Sequence, residues 1–344
     1  MIVSKKFVLL IFIYLLSYIT VHAQHIEQVS ITQASLTKKK LSDFSKKTSY
    51  VVLKSSTDNP LYYISQVYFL GDKILVIDSN NENHSLPKRL SIFNESGEFI
   101  KYVGTSMAIA VDESAESLYA LANPEKVNVY NYKGQLIDAI DINCGQNISF
   151  YNGLLWVSTY QINDGNNMVS YGLIAITPKK NEKKEVFSFQ YEDRNAMNGV
   201  NILSNADFFT YKETLYWAHG IADHIYSINK ATQLAKVKIT FLGFDRSYDD
   251  EILSRYALIN GYLYFKHNIN MRANVFMQDL STGKILHIES QVIDDVYHTG
   301  TFKLKGALKS NRLFFTKGFD DLPEAIINTY KIAIDDKLLI YSNQ

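Results

Sequence analysis

One pattern recurs six times along this 344-residue chain and governs what it can fold into. A strand-like run meets a tight polar turn, and the chain returns on a second run that opens with Leu or Ile beside an aromatic or aliphatic partner. The return runs are anchored at Ile74, Leu118, Leu155, Leu215, Leu263 and Leu313, spaced by 44, 37, 60, 48 and 50 residues. Gly71-Asp72, Asn152-Gly153 and Asn260-Gly261 at these turns supply the positive φ angles that two-residue hairpins require. A third run, a turn and a fourth run follow most anchors. Leu90-Ser91-Ile92-Phe93 precedes Phe99-Ile100, Val127-Asn128-Val129-Tyr130 precedes Leu136-Ile137, and Val275-Phe276-Met277 precedes Ile285-Leu286. Four strands every ~40–50 residues is the period of a propeller blade.

The physics of such units demands a ring. A lone four-stranded sheet with apolar residues on both faces buries neither of them. Stacking blades face to face buries both, and closing the circle removes the exposed ends. Composition agrees, with 24 tyrosines, 19 phenylalanines and only 5 prolines, the make-up of pleated strands. No long stretch beyond the N-terminal segment holds apolar residues at helical spacing. The expected fold is all-β: a six-bladed β-propeller of four-stranded antiparallel blades over residues 50–344. Tyr50-Val51-Val52-Leu53 is expected to complete the last blade, which shows no clear fourth turn around Asp335-Asp336.

The stretch from Tyr50 to Ile142 carries a resemblance. Its opening Val-Val-Leu strand, Lys73-Ile-Leu-Val-Ile-Asp78 and the hairpin Phe93-Asn-Glu-Ser-Gly-Glu-Phe-Ile100, repeated as Tyr130-Asn-Tyr-Lys-Gly-Gln-Leu-Ile137, resemble the secreted bacterial six-bladed propellers of the NHL and TolB-like type. Many relatives carry a Gly-Pro-Gly-Glu-type loop between the first two blades, where this chain has Gly104-Thr105-Ser106-Met107. The resemblance implies a fold more than an activity.

The N-terminus reads as an export signal over residues 1–23. Lys5 and Lys6 precede an apolar run from Phe7 to Ile19, and Val21-His22-Ala23 offers small residues at the cleavage positions. That run is too short to span a bilayer, which takes about 20 residues. Residues 24–49, with Lys38, Lys39, Lys40, Lys46 and Lys47, read as a polar, solvated leader. The expectation is an exported protein, periplasmic or extracellular, monomeric, with no transmembrane span after cleavage. A formal net charge of zero gives no field that would draw nucleic acid or an anionic membrane. The single cysteine, Cys144, cannot form an internal disulfide and is expected as a buried, inert thiol.

Familiar catalytic signatures are missing from the sequence: no Gly-x-Ser-x-Gly, no phosphate-binding glycine loop, no His-Glu-x-x-His, no Cys-x-x-Cys. The repeat itself offers a candidate. Four residues past each anchor stand Asp78, Ala122, Thr159, His219, His267 and Lys317. Equivalent positions lie at equal height about the axis, so this set is expected to ring the axis or its mouth and to bind ligand. His219, His267 and Asp78 are weak candidates for a divalent metal, short of the usual closed ligand set. Polar residues at strand ends also need no cause beyond meeting water. Asp249-Asp250-Glu251, Asp294-Asp295, Asp320-Asp321 and Asp335-Asp336 lack the spacing of a calcium loop and read as solvated. Trp156 and Trp217 read as packing between blades rather than a sugar platform. Gln161 to Ser170 reads as a long polar loop able to dress a binding face. The expected function is a binding propeller for a small molecule, a glycan or an envelope protein. The alternative is a metal-assisted hydrolase or lyase with its site at the axis.

Overall fold

The computed structural model describes residues 27–30, 36–55, 60–79, 88–162, 168–192, 206–211, 213–219, 224–229, 235–242, 256–259, 261–269, 272–289, 291–302, 305–306 and 313–342. In chain order, the N-terminal part gives β1 (Glu27–Ser30), β2 (Leu36–Thr37), a one-turn helix α1 (Leu41–Phe44) and β3 (Thr48–Leu53). Blade 1 follows as β4 (Ile64–Leu70), β5 (Lys73–Asp78), β6 (Arg89–Asn94) and β7 (Phe99–Thr105). Blade 2 is β8 (Ala108–Asp112), β9 (Ser117–Asn123), β10 (Lys126–Asn131) and β11 (Leu136–Asp141). Blade 3 is β12 (Gly145–Tyr151), β13 (Leu154–Ile162), β14 (Met168–Thr177) and β15 (Glu182–Glu192). Blade 4 is β16 (Ala206–Tyr211), β17 (Thr214–His219), β18 (His224–Ile228) and β19 (Ala235–Leu242). Blade 5 is β20 (Tyr256–Ile259), β21 (Tyr262–Ile269), β22 (Arg272–Asp279) and β23 (Ile285–Ile288). A hairpin, β24 (Val292–Asp294) and β25 (Gly300–Phe302), leads to blade 6, which holds β26 (Lys305–Gly306), β27 (Leu313–Gly318), a helix α2 (Glu324–Tyr330) and β28 (Lys337–Ser342).

The fourth strand of blade 6 is β3, antiparallel to β28, with Leu53 opposite Lys337 and Val51 opposite Leu339. The expected closure by Tyr50–Leu53 is therefore observed. The first strands contact one another from blade to blade, β8 to β12, β12 to β16, β16 to β20 and β20 to β26, so they form the inner wall.

Six apolar clusters fill the six seams. Ile74, Val76 and Phe93 of blade 1 pack with Phe314, Leu339, Val51 and Leu53 of blade 6. Leu75, Ile77 and Ile92 turn the other way, onto Ile109, Val111 and Leu118 of blade 2. Successive residues of a strand alternate between faces, and because both faces are buried the strands read as continuous apolar runs rather than alternating ones. Trp156 and Trp217 lie in the seam of blades 3 and 4, where the Trp217 indole N–H donates to Ser158 Oγ at 3.1 Å.

Glycine at the hairpin tip of the repeated motif has a steric cause. Gly97 has φ +86, and a Cβ there would lie 2.0 Å from the carbonyl oxygen of Val52 on β3. The Lys54 amide donates to the Gly97 carbonyl at 2.8 Å, so the tip of blade 1 is seated on the closing strand.

Three expectations change. Residues 24–49 are expected to form a solvated leader, yet from residue 27 the described part is built into the propeller. β1 adds in parallel to β19 on the outer edge of blade 4, and β2 adds in parallel to β23 on blade 5. Lys40 then bridges Ile293, and Leu41 and Phe44 are buried in the seam of blades 5 and 6. Outer edges offer unpaired N–H and C=O groups that a short polar strand satisfies. Among the leader lysines, Lys38, Lys40, Lys46 and Lys47 stay exposed, and Lys39 is half-buried. The loop expected over Gln161–Ser170 is in part strand, since β13 runs to Ile162 and β14 starts at Met168. Cys144 is half-buried rather than buried, at φ +53, with Sγ donating to Asn143 Oδ1 at 3.3 Å.

Candidate functional site

Each blade is a meander, so its two ends differ. At one end lie the turns from first to second strand, two residues long at 71–72, 152–153, 212–213 and 260–261. The opposite end carries the turns from second to third strand and the crossings to the next blade. In sequence, three of these intervals run to ten residues or more, 79–88, 193–205 and 243–255, and nearly all of those residues lie outside the described ones. Both insertions, the β24–β25 hairpin and α2, also arise from connections at that loop end.

The six sequence-predicted positions all stand on second strands at the loop end. Asp78 pairs with Ile64 and Arg89, Thr159 with Gly145 and Gly172, His219 with Ala206, His267 with Asn274, and Lys317 with Leu338. The first strand of each blade lies between these positions and the axis. The set is thus one strand out from the inner wall, at a common level. The side chains of His219 and His267 lie outside the described residues, as do Asp249-Asp250-Glu251 and the signal segment. Among the described residues, no three His, Cys, Asp or Glu side chains gather as metal ligands would.

Asp78 is fully buried and faces the seam of blades 1 and 6, on the same side of β5 as Ile74 and Val76. Its Oδ2 is 2.5 Å from the Arg89 guanidinium and accepts the Tyr62 amide at 3.4 Å. Arg89 also donates to the Pro60 carbonyl and lies 5.7 Å from the centre of the Tyr62 ring. The neighbouring Ser79 hydroxyl accepts the Tyr63 amide at 3.0 Å. Burial pushes the Asp78 carboxyl upward, against the lowering effects of Arg89 and the Tyr62 amide. Its Oδ1 is buried and accepts no hydrogen bond among the described residues. Sequence reasoning found Asp78 and missed Arg89, whose partnership depends on strand register across a ten-residue connection.

The other candidates are placed as follows. The Thr159 Oγ1 lies 2.5 Å from where a Cβ on Gly172 would sit, so that glycine makes room for the hydroxyl. Lys317 is half-buried, and its ammonium donates to the Thr301 carbonyl of the hairpin. Ala122 is half-buried at a register shift opposite β10.

Two of the acidic residues expected to be solvated, Asp294 and Asp336, are instead buried, because backbone amides and a lysine satisfy their carboxylates. Asp294 accepts the amides of Val296, Tyr297 and Thr299 and the Thr299 hydroxyl, which shapes the β24–β25 loop. Asp295 accepts both the amide and the hydroxyl of Ser42, at 3.0 and 2.6 Å. Asp336 is buried against Lys54 at 3.0 Å and accepts the amides of Ser55 and Ala333. The helix α2 was missed in the sequence; its cue was Pro323 directly before Glu324.

Comparison with known proteins gives the fold independently. The model of a family described as DUF5128, 6-bladed beta-propeller, matches residues 21–289. Among solved structures, a Bacteroides fragilis protein predicted to be exported is similar, with TM-score 0.66 and 11% identity over 93% of this chain and 99% of that one. BamB from Moraxella catarrhalis aligns over 86% of this chain and 98% of its own, at 12% identity and TM-score 0.39. No curated protein matches in sequence. No helix among the described residues is long and apolar enough to cross a membrane.

Proposed function

The chain belongs to the DUF5128 family of six-bladed β-propellers, and from that premise we propose that it is an exported binding propeller of the NHL/TolB-like type. Its loop end would hold a small molecule, a glycan or an envelope protein. The observation that carries this reading is the asymmetry of the two ends. One end carries only turns within blades, two residues long between first and second strand in four of the six blades, while the other takes the chain from blade to blade and bears both inserted elements and the level of Thr159, His219, His267 and Lys317. Loops on a rigid scaffold are where binding residues concentrate. Export is supported by the Lys5-Lys6, Phe7–Ile19 and Val21-His22-Ala23 pattern, and the similar Bacteroides fragilis protein is likewise predicted to be exported.

The test is a thermal-shift series on residues 24–344 with chelator, single divalent metals and a panel of soluble glycans. A ligand of the folded state at ~100 times its Kd stabilises by about 2.7 kcal/mol, which moves the midpoint visibly. The expected result is indifference to chelator and a shift with a glycan or small molecule, lost when residues 163–167 are replaced by a two-residue turn. A drop with chelator that one metal restores would overturn this reading in favour of the metal-assisted enzyme, and would direct attention to His219 and His267, since the Asp78 carboxylate is already taken up by Arg89.

A further inference from the structure

Blades 1 and 2 expose large apolar side chains on their outermost strands. Phe99, Ile100 and Tyr102 of β7 are 37%, 48% and 47% exposed, and Leu136 and Ile137 of β11 are 60% and 56% exposed. Phe99-Ile100 and Leu136-Ile137 hold the same place in the repeated hairpin, just after the tip glycines Gly97 and Gly134. They therefore lie at one height on neighbouring blades. The tip of blade 2 also rests against β7. The Lys101 ammonium donates to the carbonyls of Lys133 and Gly134 at 3.3 and 3.1 Å, and a Cβ on Gly134 would meet Lys101 Cδ at 3.1 Å. The two pairs form one stripe on the outer wall.

An apolar outer edge of this kind is a template for further pairing. Blades 4 and 5 cover theirs with β1 and β2, both added in parallel. In blade 5 the equivalent pair, Ile285-Leu286, is half-buried beside β2. Blade 3 carries the exposed charges Lys183, Lys184 and Glu185 on β15, which discourage pairing. Among the described residues, no strand lies outside β7 or β11.

We propose that this stripe is the interface of a two-fold homodimer in which β7 of each copy meets β11 of the other. Two observations select a second copy as the occupant. The stripe is self-complementary, because equivalent apolar pairs on adjacent blades exchange places about a two-fold axis parallel to the propeller axis. The charges are complementary in the same arrangement. β7 carries Lys101, and β11 carries Asp138 and Asp141; none of the three is in an ion pair among the described residues. That axis sets Lys101 opposite Asp138 of the partner subunit and keeps the facing strands parallel, the sense in which β1 and β2 already add. Setting β7 on β7 would instead oppose lysine to lysine, which is penalised.

Sedimentation equilibrium of residues 24–344 across the micromolar range tests the proposal. The wild type is expected to dimerise, and Ile137→Glu to be monomeric with an unchanged melting curve. Lys101→Glu and Asp138→Lys should each weaken the dimer about tenfold or more, since like charges then face each other. The double variant Lys101→Glu/Asp138→Lys should recover most of the loss, and its dimerisation would itself report a native fold. A wild type that stays monomeric throughout overturns the proposal. So does a dimer that ignores the single reversals, or a double variant no tighter than its parents.

Discussion

Asp78 and Arg89 face each other across β5 and β6 and close the seam between the first and last blades. The carboxylate holds the Tyr62 amide and the guanidinium holds the Pro60 carbonyl. The pair therefore fixes the segment by which the chain passes from the closing strand into blade 1. That is a structural role for the residue the sequence offered first as a ligand. Position within the repeat was legible, because an anchor and an offset of four residues place any strand end. The partner was not legible, because register across a long connection has no local signature. Removing one member of a buried pair strands the other charge, at a cost of about 3–5 kcal/mol. Arg89→Met is thus expected to lower unfolding free energy by that order in urea titration, while Asp78→Leu/Arg89→Met together should recover much of it. Equal losses in the single and double variants would show that the pair itself, not the uncompensated charge, carries the stability.

At the scale of elements, the blade hairpins were legible because their determinants are local: a tight turn, an anchor two or three residues on, and a run apolar on both faces. The N-terminal strap was not, because parallel addition to an outer edge leaves no pattern in the added strand. Glu27–Ser30 and Leu36–Thr37 are short, and among the side chains described over residues 36–44 Leu41 and Phe44 are the buried ones. The strap is fastened to the β24–β25 hairpin through Asp295, whose carboxylate accepts the Ser42 hydroxyl and amide. Slight burial acts upward on that carboxyl, but the Ser42 bonds outweigh it and hold it below the ordinary carboxylate range. A depressed folded pKa contributes stability above the unfolded value, and that contribution is lost as pH falls through the folded value. Amide exchange at Leu41–Phe44, corrected for its intrinsic rate, should therefore accelerate as pH drops below about 4. Asp295→Ala should show the faster exchange at neutral pH and no further acid step. An acid step that survives in Asp295→Ala would mean that another carboxylate fastens the strap.

For the whole molecule, the six seams are alike in packing but not in connectivity. Five join blades that follow one another in sequence; the seam of blades 6 and 1 also depends on β3, an N-terminal strand whose one strand partner among the described residues is the C-terminal β28. Leu53 and Val51 bring apolar side chains to that seam beside Phe314 and Leu339, and the blade 1 tip at Gly97 rests on the same strand. Loss of β3 would bare the edge of β28 and one face of blade 1 together, so opening should start there. Leu53→Ala and Leu155→Ala each empty a fully buried leucine site and should cost comparable amounts, about 2–5 kcal/mol, at equilibrium. Their local consequences should differ. Native-state hydrogen exchange of the wild type is expected to show β3 and β28 opening as one unit at lower free energy than β9 and β13, as sub-global openings do. Leu53→Ala should lower that partial opening by nearly its full equilibrium cost, and Leu155→Ala should leave it almost unmoved. If β3 and β28 exchange only through global unfolding, closure is as firm as any other seam and the ring has no preferred place to open.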